Sequence, residues 1–200
     1  MQTYDDVYRQ PGFYWGVQPN GLARRVTGLV PTGAGLRVID LGAGEGRDAI
    51  HFARHGMTVT AMDLSLPGLE KAARWAAAEG LTLRTVQAGL AEFRLTEPYE
   101  VVYASGVVTY IPPDLRAAVF ANYKEMTPAG GIHAFNAFVE KPFIPVAPDW
   151  GADEYHFRSG DLLRFYWDWE ILHFEELIFD CHSGGVPHRH AMDVMIARKV

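Results

Sequence analysis

Several features that define other classes of protein are missing from this 200-residue sequence. Cys181 is the single cysteine, which excludes an internal disulfide framework and predicts a cytoplasmic protein. No apolar run reaches the ~20 residues of a membrane-spanning helix, and the first residues lack the pattern of a secretory signal. The net charge of -6 leaves no broad basic face. We therefore expect neither a membrane nor a nucleic acid as a partner.

The residues that are present predict one α/β domain. Hydrophobic residues make up 48% of the chain and charged residues 21%, as in ordinary globular proteins. Strand patterns occupy residues 36–41, 57–63, 81–88, 99–105, 130–138 and 193–199, and an alternating pattern at 169–179 indicates an edge strand. Helical patterns occupy residues 46–56, 66–80, 112–126 and 159–167, the last with Ser159 as N-cap. This alternation predicts a mostly parallel sheet with helices on both faces.

The most specific local pattern is "VIDLGAGEGRDA", a strand that runs through Gly42, Gly44 and Gly46 into a helix. Glycines allow a tight turn and a close approach of the backbone to a ligand. The next strand ends at Asp63, whose carboxylate can accept both ribose hydroxyls of a nucleoside cofactor. Asp40, before the loop, suits an ammonium or sulfonium group better than a pyrophosphate. Alternatively, the glycines only turn the chain and Asp63 only caps the next helix.

This loop resembles motif I of the class I S-adenosylmethionine-dependent methyltransferases. "YEVVYASGVVTYIP" resembles the family's fourth-strand motif, and "MTPAGG" resembles the turn before its fifth strand. The resemblance implies a Rossmann-like, seven-stranded sheet in the order 3-2-1-4-5-7-6, with the seventh strand antiparallel. It implies a single methyltransferase domain over residues 1–200, with a lid or helical segment at 1–30 and the core at 31–200. It also implies S-adenosyl-L-methionine as the cofactor.

The same resemblance implies which residues contact the cofactor. The family has an acid after the third strand that accepts from adenine, but here Gly89 stands in its place. The backbone N–H of Gly89 or Leu90, or the side chain of Glu92, would make that contact instead. N-terminal aromatic residues would stack on the cofactor or substrate, unless they form only a local hydrophobic cluster. The predicted cofactor-binding residues are Asp40, Gly42, Ala43, Gly44, Arg47, Asp63, Leu64, Gly89, Leu90, Ser105, Tyr14 and Trp15, with Tyr8 and Phe13 as further aromatic candidates.

Further segments resemble the tellurite-resistance, or TehB-type, methyltransferases. They are "DLGAGEGRDAIHFARHGMTVTAMDLS", with Arg47 directly after the glycine loop, "FRSGDLLRFYWDWEILHFEE" and "HRHAMDVMIARK". This resemblance implies methyl transfer to a small molecule, with a tellurite- or selenite-type oxyanion as the leading candidate. Two alternatives stay open: a small organic metabolite or thiol as substrate, and a non-catalytic regulatory protein that binds S-adenosylmethionine.

The segment "CHSGGVPHRH" lies between the last two predicted strands, at the same sheet edge as the cofactor. In the tellurite-type family a histidine and arginines of this loop are implicated in catalysis. The resemblance therefore implies His182, His188 and Arg189 as catalytic residues that hold an anion or move a proton. We expect no metal, because His188 and His190 are predicted to point to opposite faces of a strand. The alternative is a solvated Gly-Gly-Pro turn, and Cys181 is expected to be buried packing.

Overall fold

The structure is a computed structural model that describes residues 3–31 and 35–200. The strands are β1 (Arg37–Leu41), β2 (Thr58–Asp63), β3 (Leu83–Gln87), β4 (Val101–Ser105), β5 (Ile132–Val139), β6 (Glu170–Cys181) and β7 (His188–Arg198). The α-helices are α1 (Tyr4–Tyr8), α2 (Gly21–Leu29), α3 (Arg47–Arg54), α4 (Leu66–Ala78) and α5 (Arg116–Glu125). Short 3-10 helices span Val108–Tyr110, Asp161–Phe165 and Ser183–Gly185.

The seven strands form one sheet in the order β3-β2-β1-β4-β5-β7-β6, which confirms the predicted topology. The pairs among β1 to β5 are parallel, and β7 runs antiparallel to both β5 and β6. The carboxyl ends of β1 to β6 and the amino end of β7 therefore meet at one edge of the sheet. In open α/β sheets this carboxyl edge is where ligands bind.

Hydrophobic side chains cover both faces of the sheet. One buried cluster joins the strands to α2, α3 and α4 through residues such as Val26, Phe52 and Leu69. The other cluster joins them to α5 through Phe120 and Tyr123. Each fully buried side chain of this size stabilises the fold by roughly 1.5–3 kcal/mol. The two clusters make the sheet a rigid platform whose carboxyl edge holds the loops in position.

Two predicted elements differ from the structure. The helix expected at residues 159–167 is only a 3-10 turn, because Gly160 adopts a left-handed conformation (φ 75°) and Ser159 does not cap the turn. The strand expected to begin at residue 193 begins at His188 instead. It is longer because β6 and β7 continue to pair as far as Cys181 opposite His188. The connection between these strands is therefore only residues 182–187.

The N-terminal segment has two parts with different roles. α1 packs against α4 and lies over the carboxyl edge of the sheet. α2, in contrast, buries Leu22, Ala23 and Val26 in the core below. The covering part of the segment predicted at 1–30 therefore ends before α2, and Met1 and Gln2 lie outside the described residues. No helix in the described ranges combines the length and apolarity needed to cross a membrane.

Candidate active site

A cavity of 1190 Å³ opens along the carboxyl edge of the sheet. This volume is somewhat above the roughly 300–1,000 Å³ of ordinary small-molecule sites, which leaves room for a cofactor and a substrate together. We call one end the glycine-loop end, defined by Asp40, Gly42, Gly44 and Asp63. The other is the hairpin end, defined by Asp149, Trp150, Cys181 and His190, with His188 in contact with Asp149 and His190 but outside the lining. The predicted residues that line the cavity are Asp40, Gly42, Ala43, Gly44, Arg47, Asp63, Leu64, Gly89, Leu90, Ser105 and Trp15.

The glycine loop needs its glycines for steric reasons. Gly42, Gly44 and Gly46 all have positive φ angles, of 71°, 54° and 88°. A Cβ on Gly42 would stand 2.6 Å from a methyl carbon of Val107, and one on Gly46 would stand 2.6 Å from the Cβ of Ala72. Such contacts are far below van der Waals distance, so the loop can approach its neighbours and a ligand this closely only without side chains.

Asp63 connects the glycine loop to the end of β2. Its Oδ2 accepts from the backbone N–H of Gly44 at 2.8 Å, and its Oδ1 accepts from that of Ser65 at 2.7 Å. The N-cap of α4 is Ser65 itself, whose hydroxyl accepts from the backbone N–H of Gly68. Burial raises the pKa of Asp63. Each carboxylate oxygen keeps a further lone pair toward the cavity, so Asp63 can still accept from ribose hydroxyls.

Asp40 places an unsatisfied carboxylate below the glycine loop. Its side chain is buried, and its Oδ2 has no hydrogen-bond partner within the described chain. Burial, followed by the nearby negative charge of Asp48, raises the pKa of Asp40 well above its ordinary value. A cationic ligand would compensate this buried carboxylate, because an opposite charge stabilises its ionised form. The site therefore fits the ammonium and sulfonium groups of S-adenosylmethionine.

The N-terminal aromatic residues divide between the cavity and the surface. Tyr8 is buried, and its hydroxyl lies 2.8 Å from the point where a Cβ on Gly44 would stand. The indole Nε1 of Trp15 donates to that hydroxyl at 3.2 Å, and Trp15 lines the cavity. Tyr14 is 49% exposed, and neither Tyr14 nor Phe13 is part of the lining. The structure thus places Tyr8 and Trp15 over the glycine loop, and it places Tyr14 outside it.

An acid does stand near Gly89, although it comes from three residues further along the chain. Glu92 lines the cavity, and its Oε2 lies 2.9 Å from the point where a Cβ on Gly89 would stand. Leu90 lines the cavity as well. Gly89 therefore leaves room for the Glu92 carboxylate, which is the acceptor type that the family uses for adenine.

Sequence reasoning missed a polar network that joins the N-terminal segment to the sheet. Asp48 accepts from the backbone N–H of Asn20 at 2.7 Å and from the hydroxyl of Tyr103 at 2.9 Å. The side-chain amide of Asn20 donates to the hydroxyl of Ser105 at 3.2 Å. Asn20 is also the N-cap of α2, a signal visible in the sequence. Its tertiary partners leave no such signal.

At the hairpin end, the expected geometry of the histidines is wrong. His188 and His190 lie on the same face, with their Nε2 atoms 2.9 Å apart. Side chains alternate along a strand with a period of two residues, so residues two apart share a face. Cys181 pairs directly with His188 in the hairpin register, which puts it on that face too. Asp149, from the irregular segment after β5, approaches both rings at 3.1 and 3.5 Å.

The three predicted catalytic residues occupy different environments. The His188 side chain is only 8% exposed and belongs to this cluster. His182 and Arg189 are exposed, and none of the three residues is part of the cavity lining. Arg189 lies between the two histidines in β7, so its side chain points to the other face. Cys181 is not buried packing, because it lines the cavity and its Sγ lies 3.0 Å from the hydroxyl of Ser183.

The hairpin end is more acidic than basic. Asp149, Asp153 and Glu154 belong to the lining here. The two arginines of the lining are paired elsewhere: Arg25 contacts Glu175 at 3.0 Å and Arg47 contacts Asp48 at 3.3 Å. Burial lowers the pKa of His190, which favours its neutral form near pH 7. The described residues therefore offer a free anion little positive charge at this end.

The sheet order, the glycine loop after β1 and the acid at the end of β2 define the class I S-adenosylmethionine-dependent methyltransferase fold. The family model described as "Tellurite resistance protein TehB" matches residues 25–187. The chain belongs to the TehB family of methyltransferases.

Individual proteins and one solved structure are similar to this chain over most of its length. The probable S-adenosyl-L-methionine-dependent methyltransferase TehB of Haemophilus influenzae is 24% identical over 166 residues, covering 82% of this chain and 57% of its own length. Hemagglutinin 1 of Eikenella corrodens is 26% identical over 173 residues, covering 85% of this chain and 57% of its own length. The crystal structure of TehB from Haemophilus influenzae superposes with a TM-score of 0.82 at 22% identity, covering 94% of this chain and 64% of that chain. The chain thus spans little more than half of these curated relatives.

Proposed function

We propose that this chain is an S-adenosyl-L-methionine-dependent methyltransferase that acts on a small molecule. The observation that carries this proposal is the unsatisfied Oδ2 of Asp40 beside the glycine loop, in a cavity that continues to the hairpin end. Membership of the TehB family supports it, and the single cysteine supports a cytoplasmic location.

The glycine-loop end would hold the cofactor. Asp40 would face the cationic methionine part, and Asp63 would accept from the ribose hydroxyls. Glu92, or the backbone N–H groups of Gly89 and Leu90, would contact adenine. Each of these residues lines the cavity, which supports the assignment.

The cofactor supplies the reactive methyl group, so the protein has to position a nucleophile in line with it and exclude water. Tyr8 and Trp15 cover the glycine loop and would shield the bound cofactor from solvent. Aromatic faces also attract a sulfonium cation by roughly 0.5–2 kcal/mol. The chain's own contribution is therefore binding, orientation and exclusion of water.

For the substrate, the charges of the hairpin end favour a nucleophile that enters uncharged, such as a thiol, over an anion. A tellurite- or selenite-type oxyanion remains a candidate through the family name. However, Asp149 and Glu154 would repel such an anion, and the arginines of the lining are already paired. The catalytic roles proposed for His182 and Arg189 receive no support from their exposed positions, whereas that of His188 is supported by its place in the cluster.

Calorimetry with S-adenosylhomocysteine tests the cofactor assignment first. We expect saturable binding, and no binding by the folded protein at sub-millimolar ligand would contradict both the enzymatic proposal and the alternative of a regulatory S-adenosylmethionine-binding protein.

Product analysis then tests the substrate. The protein is incubated with S-adenosylmethionine and either tellurite, selenite or a panel of thiols, and methylated products are measured. We expect turnover on a thiol. Volatile methylated tellurium or selenium products, with no thiol turnover, would reverse the preference. Cofactor binding without turnover on any of these panels or on wider sets of small metabolites would favour the regulatory alternative.

A further inference from the structure

We propose that Asp149, Cys181, His188 and His190 form a binding site for a divalent transition metal ion of the zinc type. One ligand atom of each residue lies within 4.8 Å of those of the other three. In a tetrahedral zinc site, with bonds of ~2.0 Å to nitrogen and ~2.3 Å to sulfur, ligand atoms are about 3.3–3.8 Å apart. Small side-chain adjustments would therefore close these four groups around one ion.

The hydrogen bonding of His188 prepares this ring as a ligand. Its Nδ1 lies 2.6 Å from the backbone carbonyl oxygen of Val186. Because a carbonyl oxygen only accepts, Nδ1 carries the proton and donates it. In the neutral ring, the lone pair is then on Nε2, which points into the cluster. Metal-binding histidines commonly have their other ring nitrogen held in this way.

Asp149 gives a second, independent indication. Its Oδ1 is buried and forms no hydrogen bond with any described residue, although it lies only 3.1 Å from Nε2 of His188. With Nδ1 donating to Val186, Nε2 is left as an acceptor like Oδ1, and these two acceptors face each other across this short distance. A cation between them would remove the repulsion and give Oδ1 of Asp149 a partner.

The donor set and its surroundings suit a borderline metal ion. Two imidazoles, a thiolate and a carboxylate are ligands that Zn²⁺ accepts, and the two anionic ligands would balance its charge. The side chains of His188 and His190 are 8% and 3% exposed, so the ion would be shielded from water. The hydroxyl of Ser183 donates to Asp149 and contacts Cys181, which orients both ligands from outside the site.

The position of the cluster connects it to the cavity. Asp149, Cys181 and His190 all belong to the lining, so the ion would face the bound small molecule. An ion of this type also binds thiolates, so a substrate thiol that displaced Asp149 and passed its proton to the freed carboxylate would be held in its ionised form. This second role rests on the proposed methyltransferase function, whereas the metal site itself does not.

Spectroscopic titration with Co²⁺ tests the site directly. The whole chain is treated with a chelator, freed of it and titrated with Co²⁺, and then with Zn²⁺ as competitor. We expect visible bands typical of tetrahedral cobalt, together with a thiolate-to-cobalt charge-transfer band. The bands should saturate at one ion per chain and disappear as Zn²⁺ displaces Co²⁺.

Matched variants assign the ligands. Cys181→Ser should remove the charge-transfer band, and His190→Gln should weaken Zn²⁺ binding by roughly tenfold or more. His182→Gln is the control, since this exposed histidine is adjacent to Cys181 but outside the cluster. It should leave Zn²⁺ affinity unchanged. Circular dichroism checks that each variant is folded.

The absence of tetrahedral bands, or an equal loss of affinity in the His182 and His190 variants, would overturn the proposal. A folded protein that binds S-adenosylhomocysteine but not Zn²⁺ would contradict the metal site and leave the methyltransferase proposal intact. A folded protein that binds Zn²⁺ but not S-adenosylhomocysteine would support the metal site and contradict the methyltransferase proposal.

Discussion

The two ends of the cavity are built in different ways. At the glycine-loop end, the decisive residues come from Asp40 to Asp63, a short stretch of chain that forms β1, the loop, α3 and β2. At the hairpin end, they come from an irregular segment at Asp149 and from two strands that meet through the register of Cys181 with His188. The first end is thus formed by neighbours in sequence, and the second by tertiary approach.

The two ends also differ in how far their polar groups are already hydrogen-bonded. Asp63 already accepts two backbone N–H groups, and a ligand would use its remaining lone pairs. At the hairpin end, Oδ1 of Asp149 and Nε2 of His188 face each other without a hydrogen bond. Apart from Oδ2 of Asp40, which also lacks a partner among the described residues, the glycine-loop end is preformed, while the hairpin end would gain a ligand that joins groups from distant segments.

The largest effect is expected from Asp63→Ala. The variant loses the acceptor for Gly44 and the proposed acceptor for the ribose, and a charged acceptor contributes about 1.5–3 kcal/mol. The dissociation constant of S-adenosylhomocysteine, measured by calorimetry, should rise by roughly tenfold or more. Asp153→Ala removes a carboxylate at the other end of the cavity and serves as the control. Equal effects of the two variants would contradict the division into two ends.

A second comparison separates binding from turnover. His188→Ala should lower the rate of methyl transfer by roughly tenfold while the cofactor dissociation constant stays near wild type, because the ring lies at the hairpin end. Arg189→Ala should change the rate little, since this neighbouring side chain is exposed. The rate of S-adenosylhomocysteine formation measures both. A larger loss in the Arg189 variant would restore the anion-holding role predicted from the family resemblance.

The third prediction concerns pH at the glycine-loop end. Burial, followed by the charge of Asp48, raises the pKa of Asp40, and a bound ammonium group favours its ionised form. Cofactor binding should therefore strengthen as pH rises through this raised pKa and weaken as pH falls. Between pH 8 and pH 5 we expect the dissociation constant of S-adenosylhomocysteine to rise by roughly fivefold, within the tenfold per pH unit that one proton allows.

The Asp40→Asn variant provides the comparison for this pH dependence. It should bind more weakly at pH 8 and show a flatter profile, because it has no carboxylate to protonate at this position. Calorimetry across the same pH range measures both proteins. Parallel profiles for the variant and the wild type would assign the pH dependence to another group.

The smallest effect is expected from Asn20→Ala. Asn20 caps α2 by accepting from the backbone N–H of Leu22 at 2.9 Å, and it also donates to Ser105. Loss of an N-cap lowers the free energy of unfolding by about 1 kcal/mol, which denaturant titration can measure. Gln18→Ala, at an exposed neighbouring amide, should have no comparable effect. If both variants unfold alike, the cap does not stabilise α2.

Local sequence patterns predicted the ends of helices correctly where a single glycine sets the backbone conformation. Helices α3 and α4 end near Gly56 and Gly80, which adopt the expected left-handed conformation. The helix predicted at 159–167 is wrong because Gly160, also left-handed, places Ser159 outside the capping position. The strand β7 begins before its predicted start because pairing with β6 extends it. These errors lie where backbone conformation or a partner strand outweighs side-chain pattern.

The sequence by itself determined the alternation of strands and helices, the sheet order through its family resemblance, and the glycine loop with Asp63. The alternation and the loop depend on residues close together in the chain, where spacing and periodicity carry the information, whereas the sheet order was implied only by the resemblance. Only the tertiary structure decided that Tyr8 covers Gly44 and that Asp149 joins Cys181, His188 and His190. The physical reason is that contacts between distant segments depend on how the strands pair and how the loops return, which no local periodicity encodes.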